Sequence, residues 1–449
     1  MKQWINNPAF LVCASFLAVI LVGTGLLLLP GSTVTPLSGI DAFFTAVSAT
    51  CVTGLIVKDT AVDFTPQGQV VILFLIQVGG LGILTFSAFF ISAITGRLGI
   101  RGASVLEDTM TQDFITDFGA FLRRTLAFVL TAEAAGGAVL TVLFAQDHSW
   151  LRAMALGFFH SVSAFCNAGF SLFSNSLEGY TTHWGVNLAV IFLIILGGIG
   201  FVVIEEIQKA MTEKSGLRAL SFHSRVVLGT TGILLIGGTL LVLLVEHGGG
   251  FRHLSVPERI LAAFFQSVTS RTAGFSTIPI DLFSNATLFL LMMLMFIGGS
   301  PGSTAGGVKT TSFAVFIALV VSRFRNRKRP EILSRTVSYG TMERLLTLLA
   351  GASLVLAVSI FSLTITEAAN PAIVAHPRSF LALCFEAFSA FGTVGLSTGI
   401  TPHLTTAGKI ILCVLMFLGR TGPLTLAVLI SSGRREYQYE YPEEDIIIG

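Results

Sequence analysis

Charge is what this chain has least of. Only 12% of its 449 residues are Asp, Glu, Lys or Arg, about half the share of an ordinary soluble domain. That scarcity excludes a water-soluble globule, and the mean hydropathy of +0.82 agrees. Cysteine is scarce as well. Cys13, Cys51, Cys166, Cys384 and Cys413 include no C-x-x-C pair and no extracellular framework, so disulfides are not implied. The histidines are scattered without metal-ligand spacing. There is no G-x-G-x-x-G after a strand, no Walker sequence and no H-E-x-x-H. Nothing points to bond-making chemistry, to a cofactor held by this chain or to nucleic acid.

What is present is apolar. Residues 9–29, 70–94, 188–203, 226–245, 288–297 and 345–363 have membrane-spanning character. The first run lacks an A-x-A cleavage signature and reads as a retained span, not a signal peptide. The net charge of +2 says little, but its placement is informative. Basic residues crowd at Arg97, Arg101, Arg123 and Arg124; at Lys209, Lys214, Arg218 and Arg225; at Arg323, Arg325, Arg327, Lys328 and Arg329; and at Arg434 and Arg435, with Lys2 at the start. If the chain crosses twice between clusters, all lie on one side, the cytoplasmic one, together with both termini. That predicts a multi-pass protein of the cell membrane with eight spans. For the 323–329 cluster a topological anchor is the simpler reading beside binding of lipid headgroups or a partner.

Between the apolar segments one pattern occurs four times: FTAVSATCVTGL (44–55), FHSVSAFCNAGF (159–170), FQSVTSRTAGF (265–275) and FEAFSAFGTVGL (385–396). Each ends on a lone glycine, Gly54, Gly169, Gly274 or Gly395, at a period of roughly 110 residues, far beyond solenoid repeats. The preceding helical stretches, 37–49, 151–165, 256–270 and 377–391, are about 12–15 residues long, too short to span. They read as re-entrant half-helices. Non-helical backbone at membrane depth survives only where it is buried in protein or lines a watery cavity. The fold class expected is therefore all-α integral membrane, with four outer helix–pore loop–inner helix repeats (1–100, 101–220, 221–330 and 331–449) around one pseudo-fourfold pore.

The loops suit an ion that must shed its water. Neutral backbone carbonyls can replace a potassium hydration shell, and glycine tolerates the backbone angles this needs. The candidate filter residues are Cys51, Val52, Thr53 and Gly54; Cys166, Asn167, Ala168 and Gly169; Thr272, Ala273 and Gly274; and Gly392, Thr393, Val394 and Gly395. The small and β-branched neighbours of the glycines predict an extended segment. The half-helices aim their C-terminal ends at the loops, which favours a cation. No carboxylate falls within the filter segments, which argues against a divalent-selective ring.

The inner segments repeat a glycine cluster (Gly79, Gly80, Gly82; Gly197, Gly198, Gly200; Gly298, Gly299, Gly302; Gly419, Gly422) suited to close helix approach. In the third it becomes a long irregular stretch: Gly298, Gly299, Ser300, Pro301, Gly302, Ser303, Thr304, Ala305, Gly306, Gly307 and, after Val308, Lys309. Pro301 and its glycines predict a helix broken in mid-membrane, the one inner helix so interrupted. It is the candidate gate. Arg420, in an otherwise apolar segment, is expected in the pore below the filter, touching that stretch. Lys309 either shares that role or caps the broken helix. Arg271 is expected to point away from the ion path toward backbone carbonyls or a carboxylate such as Glu386. His160, Gln266 and Glu386 read as braces behind the filter. Glu133 reads as an ion relay or as a hydrogen-bonded structural carboxylate.

These loops, with SRTAGF (270–275), GGSPGSTAGGVKTT (298–311) and FLGRTGPLT (417–425), resemble the pore-forming subunits of the Trk/Ktr/HKT superfamily of potassium transporters, of the bacterial Ktr type, over essentially the whole chain. The resemblance implies potassium as substrate, often with sodium stimulation. It also implies homodimers with a pore in each subunit, and a detachable cytoplasmic ring of nucleotide-binding regulatory subunits. Two departures stand out. The third loop is one residue shorter, as in the family, and Cys51 stands where threonine is usual, which bears on fine selectivity. Two other readings remain: obligate sodium-coupled symport, and a membrane-embedded enzyme or sensor. The polar stretch 103–114 and the tail near 437–444 are either contact surfaces or solvated faces.

Overall fold

A computed structural model describes residues 8–95, 118–213, 216, 220–246, 249–327 and 329–422. Lys2, Arg97, Arg101, Lys214, Arg218, Lys328, Arg434 and Arg435, the stretch 103–114, the tail and the end of the FLGRTGPLT segment lie outside these. The fold is helical. A long helix, a short buried helix, a loop and a further helix follow one another in α1 (Pro8–Leu27), α2 (Gly39–Thr50) and α3 (Pro66–Thr95), then in α4 (Phe118–Phe144), α5 (Trp150–Phe165), α6 (Trp184–Ile199) and α7 (Phe201–Thr212). The order continues in α8 (Phe222–Val245), α9 (Val256–Thr269), α10 (Asn285–Phe296) and α11 (Thr310–Phe324). After the two-residue strands β1 (Glu331–Ile332) and β2 (Arg335–Thr336) come α12 (Tyr339–Thr366), α13 (Pro371–Val374), α14 (Ser379–Gly392) and α15 (Thr406–Thr421).

Among the described residues, three helices are long and apolar enough to cross a membrane: those covering Gly119–Phe144, Phe222–Val245 and Tyr339–Thr366. The pair α6 and α7 makes a fourth candidate, bent by 102° at its break.

The short helices start on side-chain caps where the sequence provides them. Ser38 accepts from the Asp41 amide, and Ser255 with Glu258 forms a capping box. Their C-terminal halves are buried, as in Phe44, Val47, Ser48 and Thr50 of α2. The later helix of each group packs on the short helix of the next: α3 on α5, α6 on α9, α10 on α14 and α15 on α2. A half-buried ion pair, Lys409 Nζ to Asp41 Oδ1 at 2.7 Å, joins α15 to α2. The chain's end is thereby packed against its beginning, and the four loops converge.

Candidate functional site

At the end of each short helix the backbone turns left-handed. Val52, Asn167, Thr272 and Thr393 have φ of 56°, 60°, 81° and 49°. Two residues later Gly54, Gly169, Gly274 and Gly395 have φ of 93°, 69°, 76° and 94°. A β-branched residue at positive φ costs about 1–3 kcal/mol, so Val52, Thr272 and Thr393 must be held there. The hold is a backbone bond from the next amide to the short helix: Thr53 to Ser48 at 2.8 Å, Ala168 to Ser163 at 2.7 Å, Ala273 to Thr269 at 2.9 Å and Val394 to Ser389 at 2.8 Å. The continuous extended segment expected from the β-branched residues is therefore not what forms. This turn re-aims the chain between helix end and glycine.

The four glycines touch in a closed cycle. A methyl group on Gly54 would lie 3.1 Å from the Cα of Gly169, and one on Gly169 would lie 2.9 Å from that of Gly274. On Gly274 it would lie 3.1 Å from the Cα of Gly395, and on Gly395 3.0 Å from that of Gly54. It would also strike the carbonyl oxygens of Ala168, Ala273, Val394 and Thr53 in turn. Only glycine fits, on both space and φ. All four glycines line one cavity of about 310 Å³, walled further by Ile56, Ser171, Ser276 and Ser397, with Asp59 and Glu178 among its lining residues. The hydroxyls of Thr53, Thr272 and Thr393 are buried with no hydrogen-bond partner among the described residues. Cys51 and Cys166 are buried free thiols.

Sequence reasoning passed over the hydroxyls that brace the loops. Ser48 Oγ accepts from the Gly54 amide at 3.1 Å and Ser389 Oγ from the Gly395 amide at 3.0 Å. Ser163 Oγ and Thr269 Oγ1 each donate at 2.7 Å to a carbonyl just past the glycine, of Phe170 and Phe275. The signal was a hydroxyl residue at the same place in all copies. His160 braces as expected, with ring nitrogens 2.7 Å from the Leu156 carbonyl and 2.9 Å from Ser171 Oγ. Glu386 does too, accepting from Ser397 Oγ at 2.8 Å, the Thr398 amide at 2.9 Å and Thr401 Oγ1 at 2.6 Å. Gln266 departs from this pattern: its buried amide has no partner among the described residues. Arg271 donates to the Gly298 carbonyl at 3.3 Å, so a carbonyl, not Glu386, holds it. Glu133 accepts from Gln77 Nε2 at 3.2 Å and from the Cys166 thiol at 3.7 Å, the hydrogen-bonded alternative of the two expected for it.

The irregular stretch lies against the residues that precede the glycines, whereas the cavity is walled by residues that follow them. Thr304 Oγ1 is 3.0 Å from the Asn167 amide oxygen, in the orientation that also lets the amide nitrogen donate to the Ala164 and Ile194 carbonyls. A methyl group on Gly306 would strike Thr393 Oγ1, and one on Gly307 would lie 3.4 Å from the Gly392 carbonyl. The Ser300 and Thr304 amides donate to the Gly198 and Gly197 carbonyls at 3.0 and 3.1 Å, and the Gly307 amide to Gly419 at 3.3 Å. Arg420 is 7% exposed and donates to the carbonyls of Thr304 and Gly79. Lys309 Nζ donates to the Ala305 carbonyl at 2.7 Å and so folds back on the stretch itself, where Lys309 is the N-cap of α11.

The third inner helix is not alone in being interrupted. α6 and α7 break at Gly200 (φ 103°), where an added methyl group would lie 2.6 Å from the Pro301 carbonyl, while the Phe201 amide donates to the Gly302 carbonyl at 2.9 Å. The broken stretch thus has a second break packed against it, which a glycine cluster shared with the other inner segments does not announce. Gly79, Gly197 and Gly419 pack directly on the carbonyls of Thr50, Phe165 and Phe391, the close helix approach expected of the glycine clusters.

Residues 4–436 match the family described as TrkH, cation transport protein. The chain belongs to this family. Ktr system potassium uptake protein B of Bacillus subtilis is 36% identical over 452 residues, covering 100% of this chain and 98% of that protein. Potassium/sodium uptake protein NtpJ of Enterococcus hirae is 37% identical, covering 99% of this chain and 97% of that protein. The crystal structure of the potassium transporter TrkH from Vibrio parahaemolyticus superposes with a TM-score of 0.68 at 21% identity, over 93% of this chain and 85% of that one, which establishes the shared fold. Membership of the TrkH family makes this a multi-pass membrane transporter and not an enzyme.

Proposed function

We propose that this TrkH-family chain is the pore-forming subunit of a potassium uptake system, conducting through one pore framed by four repeats and eight spans. The observation that carries the reading is the closed cycle of Gly54, Gly169, Gly274 and Gly395 around one cavity. Backbone carbonyls of the filter residues, from Cys51 to Gly54, Cys166 to Gly169, Thr272 to Gly274 and Gly392 to Gly395, replace the ion's water. The orphaned threonine hydroxyls and the helix C-termini add neutral or partly negative ligands. Because each loop turns at its left-handed residue, it offers fewer inward carbonyls than a fully extended filter, and fewer ion sites follow.

Residues 298–309 act as the gate, and Arg420 is its latch. The guanidinium both ties the stretch to Gly79 and places a positive charge where a cation must pass. Two subunits pair, each with its own pore, and a cytoplasmic ring of nucleotide-binding subunits releases the latch. Sodium acts as a stimulator. Both termini lie in the cytoplasm. The named relatives support the substrate.

Rubidium uptake into vesicles holding the purified chain, with potassium and sodium as competitors, tests this. Potassium should compete strongly and sodium weakly. Equal competition would remove the filter assignment. The printed name of NtpJ favours one second reading, obligate sodium-coupled symport; flux that persists without sodium excludes it.

A further inference from the structure

The pore makes no use of the basic hairpin that joins α11 to α12. Residues 323–335 carry Arg323, Arg325, Arg327, Lys328, Arg329 and Arg335 against one acidic residue, Glu331. The hairpin is built, not loose. Ser322 Oγ donates to the Arg329 carbonyl at 2.9 Å, the Val337 amide donates to Pro330 at 2.9 Å, and Glu331 and Ile332 pair with Thr336 and Arg335. Its two turn residues, Leu333 and Ser334, have φ of 46° and 61°. Asn and Gly are the residues that suit such a turn, so a leucine held there is strained, and it is left 56% exposed at the tip. Phe324, at the end of α11, is 88% exposed.

Three of the arginines have local partners. Arg327 pairs with Glu331, Arg329 lies 4.7 Å over the Tyr339 ring, and Arg335 lies 5.6 Å from the Phe222 ring. Arg323 and Arg325 flank the exposed phenylalanine and have no ion-pair partner among the described residues. Exposed arginines interleaved with an outward phenylalanine and leucine match the membrane boundary, where phosphates meet the upper acyl chains. α12 is long and apolar enough to cross the bilayer, so its start at Tyr339 holds the hairpin at that level. An acidic protein surface would satisfy the charges but would leave Phe324 and Leu333 in water.

We propose that residues 323–327 and 329–335 form a binding surface for anionic phospholipid headgroups, with Arg323 and Arg325 taking the phosphates and Phe324 and Leu333 dipping below them. The surface anchors the end of α11 remote from the irregular stretch.

The test is native mass spectrometry of the full chain in detergent, titrated with phosphatidylglycerol or phosphatidylcholine, a readout that involves no ion flux. The wild type should prefer phosphatidylglycerol, and the preference should fall as salt rises. The double substitution R323Q/R325Q should lower phosphatidylglycerol affinity by about 30-fold and leave phosphatidylcholine unchanged. The double substitution R323K/R325K should retain the preference, and Phe324→Ser should weaken both lipids. An unchanged preference in the glutamine variant, with an unaltered size-exclusion profile, overturns the proposal. So does displacement of phosphatidylglycerol by poly-glutamate at equal charge, which would assign the surface to an acidic protein.

Discussion

The Arg420 guanidinium donates to the backbone carbonyl of Thr304, and so ties the end of α15 to the irregular stretch between α10 and α11, 116 residues away in sequence. Thr304 in turn hydrogen-bonds Asn167 in the second loop. One side chain therefore couples the proposed gate to the proposed filter.

Replacing Arg420 by alanine removes two charge-assisted bonds and a positive charge from the proposed ion path. A hydrogen bond to a charged group contributes about 1.5–3 kcal/mol, so rubidium uptake should rise about tenfold or more. Arg420→Lys should fall between the two. Loss of uptake in a folded Arg420→Ala protein would make the residue structural and the latch wrong.

Gly274→Ser adds a side chain at φ +76° against the Val394 carbonyl and the Gly395 Cα. It should weaken the preference for potassium over sodium in rubidium competition, and destabilise the protein by about 1–3 kcal/mol. Gly302→Ala is the control. Its φ is +67°, but an added methyl meets nothing within 4 Å, so ion competition should not change.

Ser163→Ala leaves the Phe170 carbonyl without its 2.7 Å partner inside the protein. An unsatisfied buried acceptor costs about 1–3 kcal/mol, so thermal unfolding in detergent should shift to lower temperature and selectivity should decline. An unaffected variant on both counts would show that the hydroxyl brace does not hold the loop.

Deleting residues 300–305 removes the hydrogen bonds to Gly198, Gly197 and Arg420 together. Flux should increase strongly with ion competition preserved. A silent deletion would demote the stretch to a passive kink.

Breaking the Lys409–Asp41 pair with Lys409→Met alone leaves a carboxylate, 14% exposed, without its cation. Losing a hydrogen bond between charged groups costs about 1.5–3 kcal/mol. The double variant K409M/D41L should recover much of this in thermal unfolding. Equal damage in both would mean that the pair does not close α15 onto α2.

Local features of the chain carried much of this reading. The four short helices form close to where the pattern places them; α9 covers Val256–Thr269 where 256–270 was expected. The need for glycine at Gly54, Gly169, Gly274 and Gly395 was equally visible, because a backbone constraint repeated four times leaves a repeated residue. The Ser48, Ser163, Thr269 and Ser389 braces were just as local and were visible in the same copies. The left-handed turns at Val52, Thr272 and Thr393 were not. β-branched residues favour extended backbone by themselves, and only hydrogen bonds from the following amides to the short helices override that preference.

Sequence alone determined that the chain is a helical membrane protein with four glycine loops and one long irregular stretch, since composition and backbone chemistry act over a few residues at a time. Tertiary structure decided the cyclic order of the glycines, the second break at Gly200 and the partners of Arg420 and Arg271. Those depend on which distant segments meet. Gly395 finds Gly54 only because α15 packs on α2, and no neighbour in sequence encodes that approach.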